Sequence, residues 1–339
     1  MDKQLSQAFS ALRFLLALLV VYIHIDSNCS LSFIEVSKFG GGIWTMSNHY
    51  FNIVVSQTIA RLAVPTFFFM SGYLFFSNIE KFTFSTWREK MKSRFHSLLI
   101  PYILWNLIAY IFFIHLKHQS ILKLGIFPKI SFMFFHPADF PLWYVRDLMV
   151  LVCFTPVIYY LSKYLYGIAM LPIVIAYLFL PEFSVGFLSF SSFFFFILGS
   201  FFCLNGLSFR SVTPWIRRII YAVAIGLGVL MIITYGNREE NLWALFLLMG
   251  VLAIILLLYN NRFNVCNVLV SSSFFVYASH RVGITGIAKS LFQWIPNEGC
   301  SQLVSYIIAP MLTYMICTLG YVMLRKYVPS FFVLLNGRK

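Results

Sequence analysis

The chain has 339 residues, of which 60% are hydrophobic and only 11% are charged. Soluble proteins carry about 25% charged residues, so this composition excludes a water-soluble fold, a disordered chain and a nucleic-acid-binding domain. The apolar runs are long and unbroken, which predicts an all-α, polytopic integral membrane protein. The net charge of +14 then reports the topology of the loops rather than a nucleic-acid partner.

A membrane span needs about 20 mostly apolar residues, and on this criterion we predict about ten transmembrane helices. The first run contains Arg13 and His24 and lacks a convincing cleavage site, so it is read as a retained helix rather than a signal peptide. The predicted spans are Phe9–Ile25, Phe51–Phe76, Leu98–Leu116, Leu142–Leu161, Leu165–Leu180, Val185–Leu204, Ile219–Tyr235, Leu242–Tyr259, Val268–Lys289 and Leu303–Leu324.

The distribution of the basic residues predicts that both termini are cytoplasmic, because cytoplasmic loops are enriched in Lys and Arg. With the N-terminus inside, the inward segments contain Lys3, Lys81, Arg88, Lys90, Lys92, Arg94, Lys163, Arg210, Arg217, Arg218, Arg262, Arg325, Lys326, Arg338 and Lys339. The outward segments contain only Lys38, Lys117, Lys123, Lys129, Arg238 and Lys289. No soluble domain and no internal repeat are visible, so residues 1–339 are expected to form a single membrane-embedded domain.

The six cysteines show no metal-binding spacing, and no metal site is expected. Cys29 and Cys300 both fall in outward loops, and the sequence leaves open whether they pair.

Four arginines, Arg13, Arg61, Arg146 and Arg281, lie within or at the edge of spans. An ionisable side chain there costs about 2.5–3.5 kcal/mol on insertion scales, which makes each a functional-site hypothesis.

Arg13 and His24 are eleven residues apart in the first span, close to three helical turns. They therefore share one face, about 16 Å apart along the axis. Arg13 snorkelling to the inner headgroups, with His24 as an interfacial histidine, is the structural alternative.

In the second span, Arg61 precedes Pro65 and the Ser71–Gly72 step. Proline bends a helix by freeing a backbone carbonyl, and the Ser-Gly step permits close backbone approach. A kinked packing helix with Arg61 at the outer interface would explain the same residues.

In the ninth span, Ser273, Tyr277 and His280 recur at i, i+4 and i+7 and share a face, which indicates a polar lumen or an interhelical hydrogen-bond network.

At the outer start of the fourth span, Trp143 is an aromatic-belt residue. Arg146 and Asp147 are adjacent there, so we expect them to point in different directions rather than to neutralise each other.

Taken together and in this order, the motifs resemble those of the acyltransferase 3 family, bacterial membrane enzymes that O-acylate, usually O-acetylate, cell-surface glycans. The matching residues are Arg13 and His24; Arg61 with Val64-Pro65, Phe67-Phe68 and Ser71-Gly72; Arg94 with Pro101-Tyr102 and Trp105-Asn106; Leu142-Trp143-Tyr144 with Arg146-Asp147-Leu148; and Ser273-Phe274 with Tyr277 and His280. Two departures from the family pattern are noted: Ser97 stands where relatives often carry a second arginine, and we expect a stand-alone membrane enzyme without the esterase-like domain that many relatives append.

The resemblance implies a multi-pass enzyme of the bacterial cytoplasmic (inner) membrane, with acetyl-CoA as its donor substrate and a glycan or lipid-linked saccharide as its acceptor. The catalytic candidates are His24, Arg13 and Arg61. Those for binding the donor are Lys92, Arg94, Arg13 and Ser71, and those on the acceptor side are Trp143, Arg146, Asp147, Tyr277 and His280.

The chemistry expected of these candidates follows from their side chains. His24, with an ordinary pKa of about 6.5, suits a general base for a sugar hydroxyl, and an acetyl-histidine intermediate is the alternative. Arg61 suits an oxyanion or an acceptor phosphate. The donor can equally be succinyl-CoA or a longer acyl-CoA, and a transporter or flippase of a lipid-linked saccharide, or a non-catalytic scaffold, are the rival functions.

Overall fold

A computed structural model describes residues 2–25, 35, 42–114, 135, 137, 140–261 and 263–337. Cys29, and with it the question of its pairing with Cys300, lies outside the described residues. So do the basic residues Lys38, Lys117, Lys123, Lys129, Arg262, Arg338 and Lys339.

The described chain is almost entirely helical, as the sequence predicts. Its helices are α1 (Lys3–Ile25), α2 (Ile43–Val54), α3 (Ala63–Phe76), α4 (Phe84–Arg94), α5 (Ile100–Ile114), α6 (Trp143–Cys153), α7 (Thr155–Lys163), α8 (Tyr166–Phe179), α9 (Phe190–Leu204), α10 (Pro214–Ile233), α11 (Glu240–Asn260), α12 (Asn267–Ser279), α13 (Thr285–Ser290), α14 (Glu298–Tyr327) and α15 (Pro329–Asn336). Five-residue π turns connect several of them, at Val55–Ile59, Phe95–Leu99 and His280–Ile284.

Membrane-spanning character is confirmed for much of the described chain. Six helical segments there are long and apolar enough to cross a bilayer: α1, α2 through α3, α4 through α5, α10, α11 and α14. The helices α6 and α7 form a further, bent pair. The helices α8 and α9 are apolar but shorter. The larger number of about ten spans stays a prediction.

Two predicted spans differ from the structure at identifiable residues. The fourth is bent by 67° between α6 and α7, where Pro156 near the start of α7 cannot donate a backbone hydrogen bond. The sixth begins later than predicted, because Ser184–Val185 pairs with Leu188–Ser189 in an antiparallel hairpin whose turn contains Gly186 at φ +62°. Helix α9 starts only after Ser189, whose hydroxyl oxygen accepts a hydrogen bond from the Ser192 amide at 3.1 Å.

Helix α1 lies in the interior of the bundle. It packs against α3, α11, α12 and α14, and Leu12, Leu16 and Val21 along it are fully buried. Side chains on several faces of α1 therefore meet protein rather than lipid. This position allows the polar residues of α1 to contact groups on several other helices.

Helices α3 and α9 approach each other closely, and this approach depends on two glycines. A Cβ atom at Gly72 would collide with the Phe196 carbonyl, and one at Gly199 would collide with the Phe69 carbonyl. Small residues at a helix crossing let the backbones approach closely in a membrane. The Ser71–Gly72 step thus has the packing role that the sequence predicts, and it brings Ser71 into the bundle interior.

Pro65 accompanies an irregular stretch, as expected. It is the third residue of α3, which is preceded by the π turn Val55–Ile59 and a 3₁₀ turn at Ala60–Leu62. Proline removes the hydrogen bond to the carbonyl four residues earlier, which here is that of Arg61. Arg61 consequently sits in the irregular part of the span.

The glycine contact gives a direct test of this packing. Replacing Gly72 with alanine forces α3 and α9 apart, and overpacking of this kind costs about 1–3 kcal/mol. We expect Gly72→Ala to lower the thermal unfolding midpoint of the detergent-solubilised protein, followed by circular dichroism. Gly226→Ala in α10 is the matched control, because a Cβ there meets nothing within 4 Å. Equal midpoints for Gly72→Ala and the wild type would contradict the proposed contact.

Candidate active site

A cavity of about 630 Å³ opens at the end of the bundle that carries Arg94 and Arg325, hereafter the basic end. Helices α1, α3, α4, α6, α12, α14 and α15 contribute to its wall. The cationic side chains that line it are Arg13, Lys90, Arg94 and Arg325, and none of its described lining residues is acidic. Such a surplus of positive charge favours an anionic ligand.

Three of the four residues that the sequence assigns to the donor line this cavity: Arg13, Arg94 and Ser71. Lys92 is exposed and is not part of the lining, whereas Lys90 is. Lys90 and Arg94 are four residues apart on α4 and so share a helix face, while Lys92 points away from it. The charges along the segment predict a basic loop, but the position of each lysine around the helix decides which of them lines the cavity.

The cavity extends into the bundle as far as a group of hydroxyl-bearing side chains. The Ser71 hydroxyl and the Tyr144 hydroxyl are 2.9 Å apart, and Tyr144 packs against Tyr277 with ring centroids 5.9 Å apart. Tyr277 donates its hydroxyl hydrogen to the Pro141 carbonyl. Ser273 and Tyr277 both line the cavity, so this part of the predicted polar face of α12 does meet a polar lumen.

His24 and His280 lie side by side. Their ring centroids are 5.3 Å apart with the planes inclined by 32°. The His280 ring is fully buried, and its Nδ1 lies 2.8 Å from the Tyr277 carbonyl, which can only accept, so Nδ1 is the protonated nitrogen. In the neutral ring the Nε2 atom then carries a lone pair, and it has no hydrogen-bond partner among the described residues.

The histidine pair is one helical turn from the cavity, since His280 bonds to the backbone of Tyr277, itself a lining residue. Helix α12 ends at Ser279, and in the turn that follows Gly283 adopts a left-handed conformation, with φ at +78°. The positive charges of Arg61 and Arg281 act on His24. The structure therefore places His280 beside His24, where the sequence had assigned the two residues to different roles.

Arg61 is held by residues that the sequence analysis did not single out. Its Nη2 donates to the Gln57 side-chain oxygen at 2.7 Å, and Arg238 donates to the Gln57 carbonyl at 2.8 Å. The Ser56 hydroxyl donates to the Tyr22 carbonyl at 2.7 Å, tying the same π turn to α1 two residues before His24. Gln57 lies one turn before Arg61, so its contact with Arg61 could have been predicted from the sequence. Nothing in the sequence around Arg61 indicates the contribution of Arg238.

Arg146 and Asp147 form a buried ion pair, so the expectation that they point in different directions is wrong. The Arg146 Nη2 and an Asp147 carboxylate oxygen are 2.8 Å apart, and the Asp147 side chain is almost fully buried. A long arginine side chain can fold back to its neighbour, and burial in the bundle favours this pairing because each charge lacks water.

The same ion pair connects α6 with its surroundings. The Arg146 guanidinium donates to the Phe187 carbonyl at 3.1 Å and to the Phe135 carbonyl, and it lies 4.5 Å from the centroid of the Phe187 ring. Asp147 accepts from the Ser192 hydroxyl at 3.3 Å. Neither charge is among the residues that line the cavity. The same holds for Trp143, the third candidate from α6, whose ring lies 6.4 Å from that of Phe68.

No group of three or more His, Cys, Asp or Glu side chains within the described ranges could hold a metal ion. The chemical groups available at the site are therefore the cations of the cavity, the hydroxyl groups at its deep end, the two histidines and Arg61. These groups can bind an anion, exchange a proton and stabilise a developing negative charge.

Residues 7–325 match the family described as an acyltransferase domain, the acyltransferase 3 family. The match covers most of the chain, which belongs to this family and is an O-acyltransferase. A transporter or flippase, the rival considered from the sequence, is thereby set aside.

The chain is also similar to the succinoglycan biosynthesis protein ExoH of Rhizobium meliloti (strain 1021), with 24% identity over 363 aligned positions. That alignment covers 100% of this chain and 94% of the relative. No solved structure matches the chain.

The buried ion pair gives a prediction for stability. Arg146→Met leaves the Asp147 carboxylate buried without its partner, and breaking a buried pair in this way costs about 3–5 kcal/mol. We expect a large fall in the unfolding midpoint and in the monodisperse fraction on size exclusion, and substantial recovery in the double variant Arg146→Met/Asp147→Leu. The exposed cation Arg88 supplies the control, Arg88→Met. An Arg146→Met protein as stable as wild type would show that the pair does not support the fold.

Proposed function

We propose that the protein is an integral-membrane O-acetyltransferase that transfers an acetyl group from cytoplasmic acetyl-CoA to a hydroxyl of a cell-surface or lipid-linked glycan. It would lie in the bacterial cytoplasmic (inner) membrane with about ten spans and both termini cytoplasmic. The observation that carries this proposal is the cavity at the basic end, which is lined by four cations without an acid and reaches within one turn of the His24–His280 pair.

The cations suit a CoA donor because its diphosphate and 3′-phosphate are anionic. Lys90, Arg94 and Arg325 lie where a donor entering from the basic end would bring its phosphates. Arg13 and Ser71 line the same cavity on α1 and α3, and they are suited to steady the donor further along. This arrangement fits a cytoplasmic basic end, in agreement with the distribution of basic residues along the chain.

The acceptor assignment is supported by the name of the relative ExoH, a succinoglycan biosynthesis protein, and by the position of the histidines at the far end of α1 from the basic end. The Pro141 carbonyl accepts a hydrogen bond from Tyr277, which packs on Tyr144, and Trp143 directly precedes Tyr144 in α6. We assign these residues, with Arg146, Asp147 and His280 behind them, to the acceptor side.

In the proposed reaction, a sugar hydroxyl attacks the thioester carbonyl while His24 accepts the hydroxyl proton. The new C–O bond forms, the C–S bond breaks and CoA leaves as the thiolate, which takes the proton back from His24. Arg61, held by Gln57, stabilises the oxyanion or orients an acceptor phosphate. A two-step route through acetyl-His24 has the same overall balance.

His24→Ala is expected to lower transfer of labelled acetyl from acetyl-CoA by at least about 100-fold, the usual contribution of a general base. The assay uses purified protein in liposomes with a panel of lipid-linked glycans, and it is repeated with succinyl-CoA to identify the acyl group. His96→Ala, which removes an exposed histidine, is the matched control. Incubation with labelled donor and no acceptor, followed by rapid mass spectrometry of the intact protein near neutral pH, distinguishes the two routes, since only an acetyl-histidine leaves label on the protein. Undiminished transfer by His24→Ala would exclude it as base and as nucleophile.

A second prediction separates the two lysines of α4. Lys90→Ala and Arg94→Ala should raise the KM for the acyl-CoA donor about 10-fold each without changing the KM for the glycan, because a hydrogen bond to a charged group contributes about 1.5–3 kcal/mol. Lys92→Ala removes the same charge two residues away and should leave both constants unchanged. Equal effects of Lys90→Ala and Lys92→Ala would indicate a diffuse electrostatic attraction instead of a site.

A further inference from the structure

The C-terminal helix α15 folds back against the basic end of the bundle. Val328 ends α14, and Pro329 starts α15 at a position where its missing N–H is not needed. Phe332 and Leu335 are buried, and the Phe332 ring packs on Tyr321 at 5.0 Å. The Leu335 carbonyl accepts a hydrogen bond of 3.1 Å from the Trp105 indole, so the end of α15 is anchored to α5.

The last turn of α15 contacts the π turn Phe95–Leu99. Gly337 ends the helix in the left-handed conformation, with φ at +66°, and a Cβ at this residue would be 2.5 Å from the Ser97 carbonyl. The chain can approach Ser97 so closely only without a side chain at Gly337. As a result, Asn336 and Ser97 come to lie in the wall of the same cavity.

Both residues carry a buried polar atom without a partner among the described residues. The Asn336 side-chain oxygen and the Ser97 hydroxyl are inaccessible to solvent and make no hydrogen bond within the described structure. An unsatisfied buried polar group costs about 1–3 kcal/mol. A ligand in the cavity would supply both missing partners once the two side chains rotate towards it, which would remove this cost.

The position of Ser97 along its helix indicates which part of a ligand it would meet. Lys90, Arg94 and Ser97 recur at i, i+4 and i+7 and all line the cavity. The helical segment continues from Phe84 to Phe112, and the Phe112 ring contacts Gly283 in the turn that begins at His280. Ser97 is therefore about 4.5 Å further from the basic end than Arg94, on the way to the histidines.

A donor with its phosphates on Lys90 and Arg94 and its thioester near the histidines would bring an uncharged linker past Ser97. In acyl-CoA this linker is the pantetheine arm, whose amides each offer one N–H donor and one carbonyl acceptor. The Asn336 oxygen can accept from the former and the Ser97 hydroxyl can donate to the latter.

We propose that Ser97 and Asn336 bind an amide of the pantetheine arm, which makes α15 part of the donor site. This assignment rests on the proposed use of an acyl-CoA donor.

The test compares binding of CoA with binding of adenosine 3′,5′-bisphosphate, which carries the nucleotide but lacks the arm, to the purified full-length protein. Ser97→Ala and Asn336→Ala should each weaken CoA binding about three- to tenfold and leave the bisphosphate Kd unchanged. Arg94→Ala should weaken both ligands. Leu334→Ala changes an exposed residue of the same helix and should match wild type for both, while the retained bisphosphate affinity shows that each variant is folded.

The outcomes separate this inference from the proposed function. Wild-type protein that binds CoA, with variants that bind it equally well, would overturn the assignment of Ser97 and Asn336 alone. A parallel loss of bisphosphate affinity in both variants would overturn it in favour of contact with the nucleotide. A wild-type protein that binds neither ligand would overturn the CoA donor itself, and this assignment with it.

Discussion

Helix α1 crosses the interior of the bundle, and the arrangement of the site depends on the polar groups it carries there. An ionisable side chain in hydrocarbon is unfavourable by several kcal/mol unless it meets protein or a wet cavity. Arg13 meets this condition by lining the cavity at the basic end, and His24 by packing against His280. The helices that surround α1 supply further site residues, among them Ser71 from α3, Tyr277 from α12 and Arg325 from α14.

The breaks in the helices coincide with the site. A π turn at Val55–Ile59 contains Gln57, which holds Arg61; another at Phe95–Leu99 contains Ser97; the third begins at His280. A π turn inserts a residue into the helix and changes the direction of the side chains that follow, and such turns are frequent at functional sites. In this protein they let the spans stay helical through the membrane while polar side chains converge between them.

Local periodicity accounts for the parts of the site that the sequence predicted. Arg13 and His24 share a face of α1, and Ser273 and Tyr277 share a face of α12, because each pair lies within one regular helix. Helix phase and side-chain conformation are not visible in the sequence. Lys92 was named as a donor-side candidate from the charge of its segment, whereas Lys90 is the lysine of α4 that lines the cavity. Arg146 and Asp147 were expected to point in different directions because adjacency on a helix hides the reach of a long side chain. The hairpin at Ser184–Ser189 was not predicted, because its apolar residues continue the hydrophobic run of the following helix.

Composition and the order of the motifs were enough to determine a helical membrane protein of the acyltransferase 3 family, because the hydrophobic length of a span and the placement of basic residues are properties of the local sequence. Tertiary structure alone decided that His24 packs against His280, that Arg238 holds the turn before Arg61, and that Asn336 reaches the cavity wall beside Ser97. These contacts join residues far apart in the chain, and they form only because helix crossings such as that of Gly72 with Phe196 set the distances between spans. No periodicity within a single segment encodes such distances.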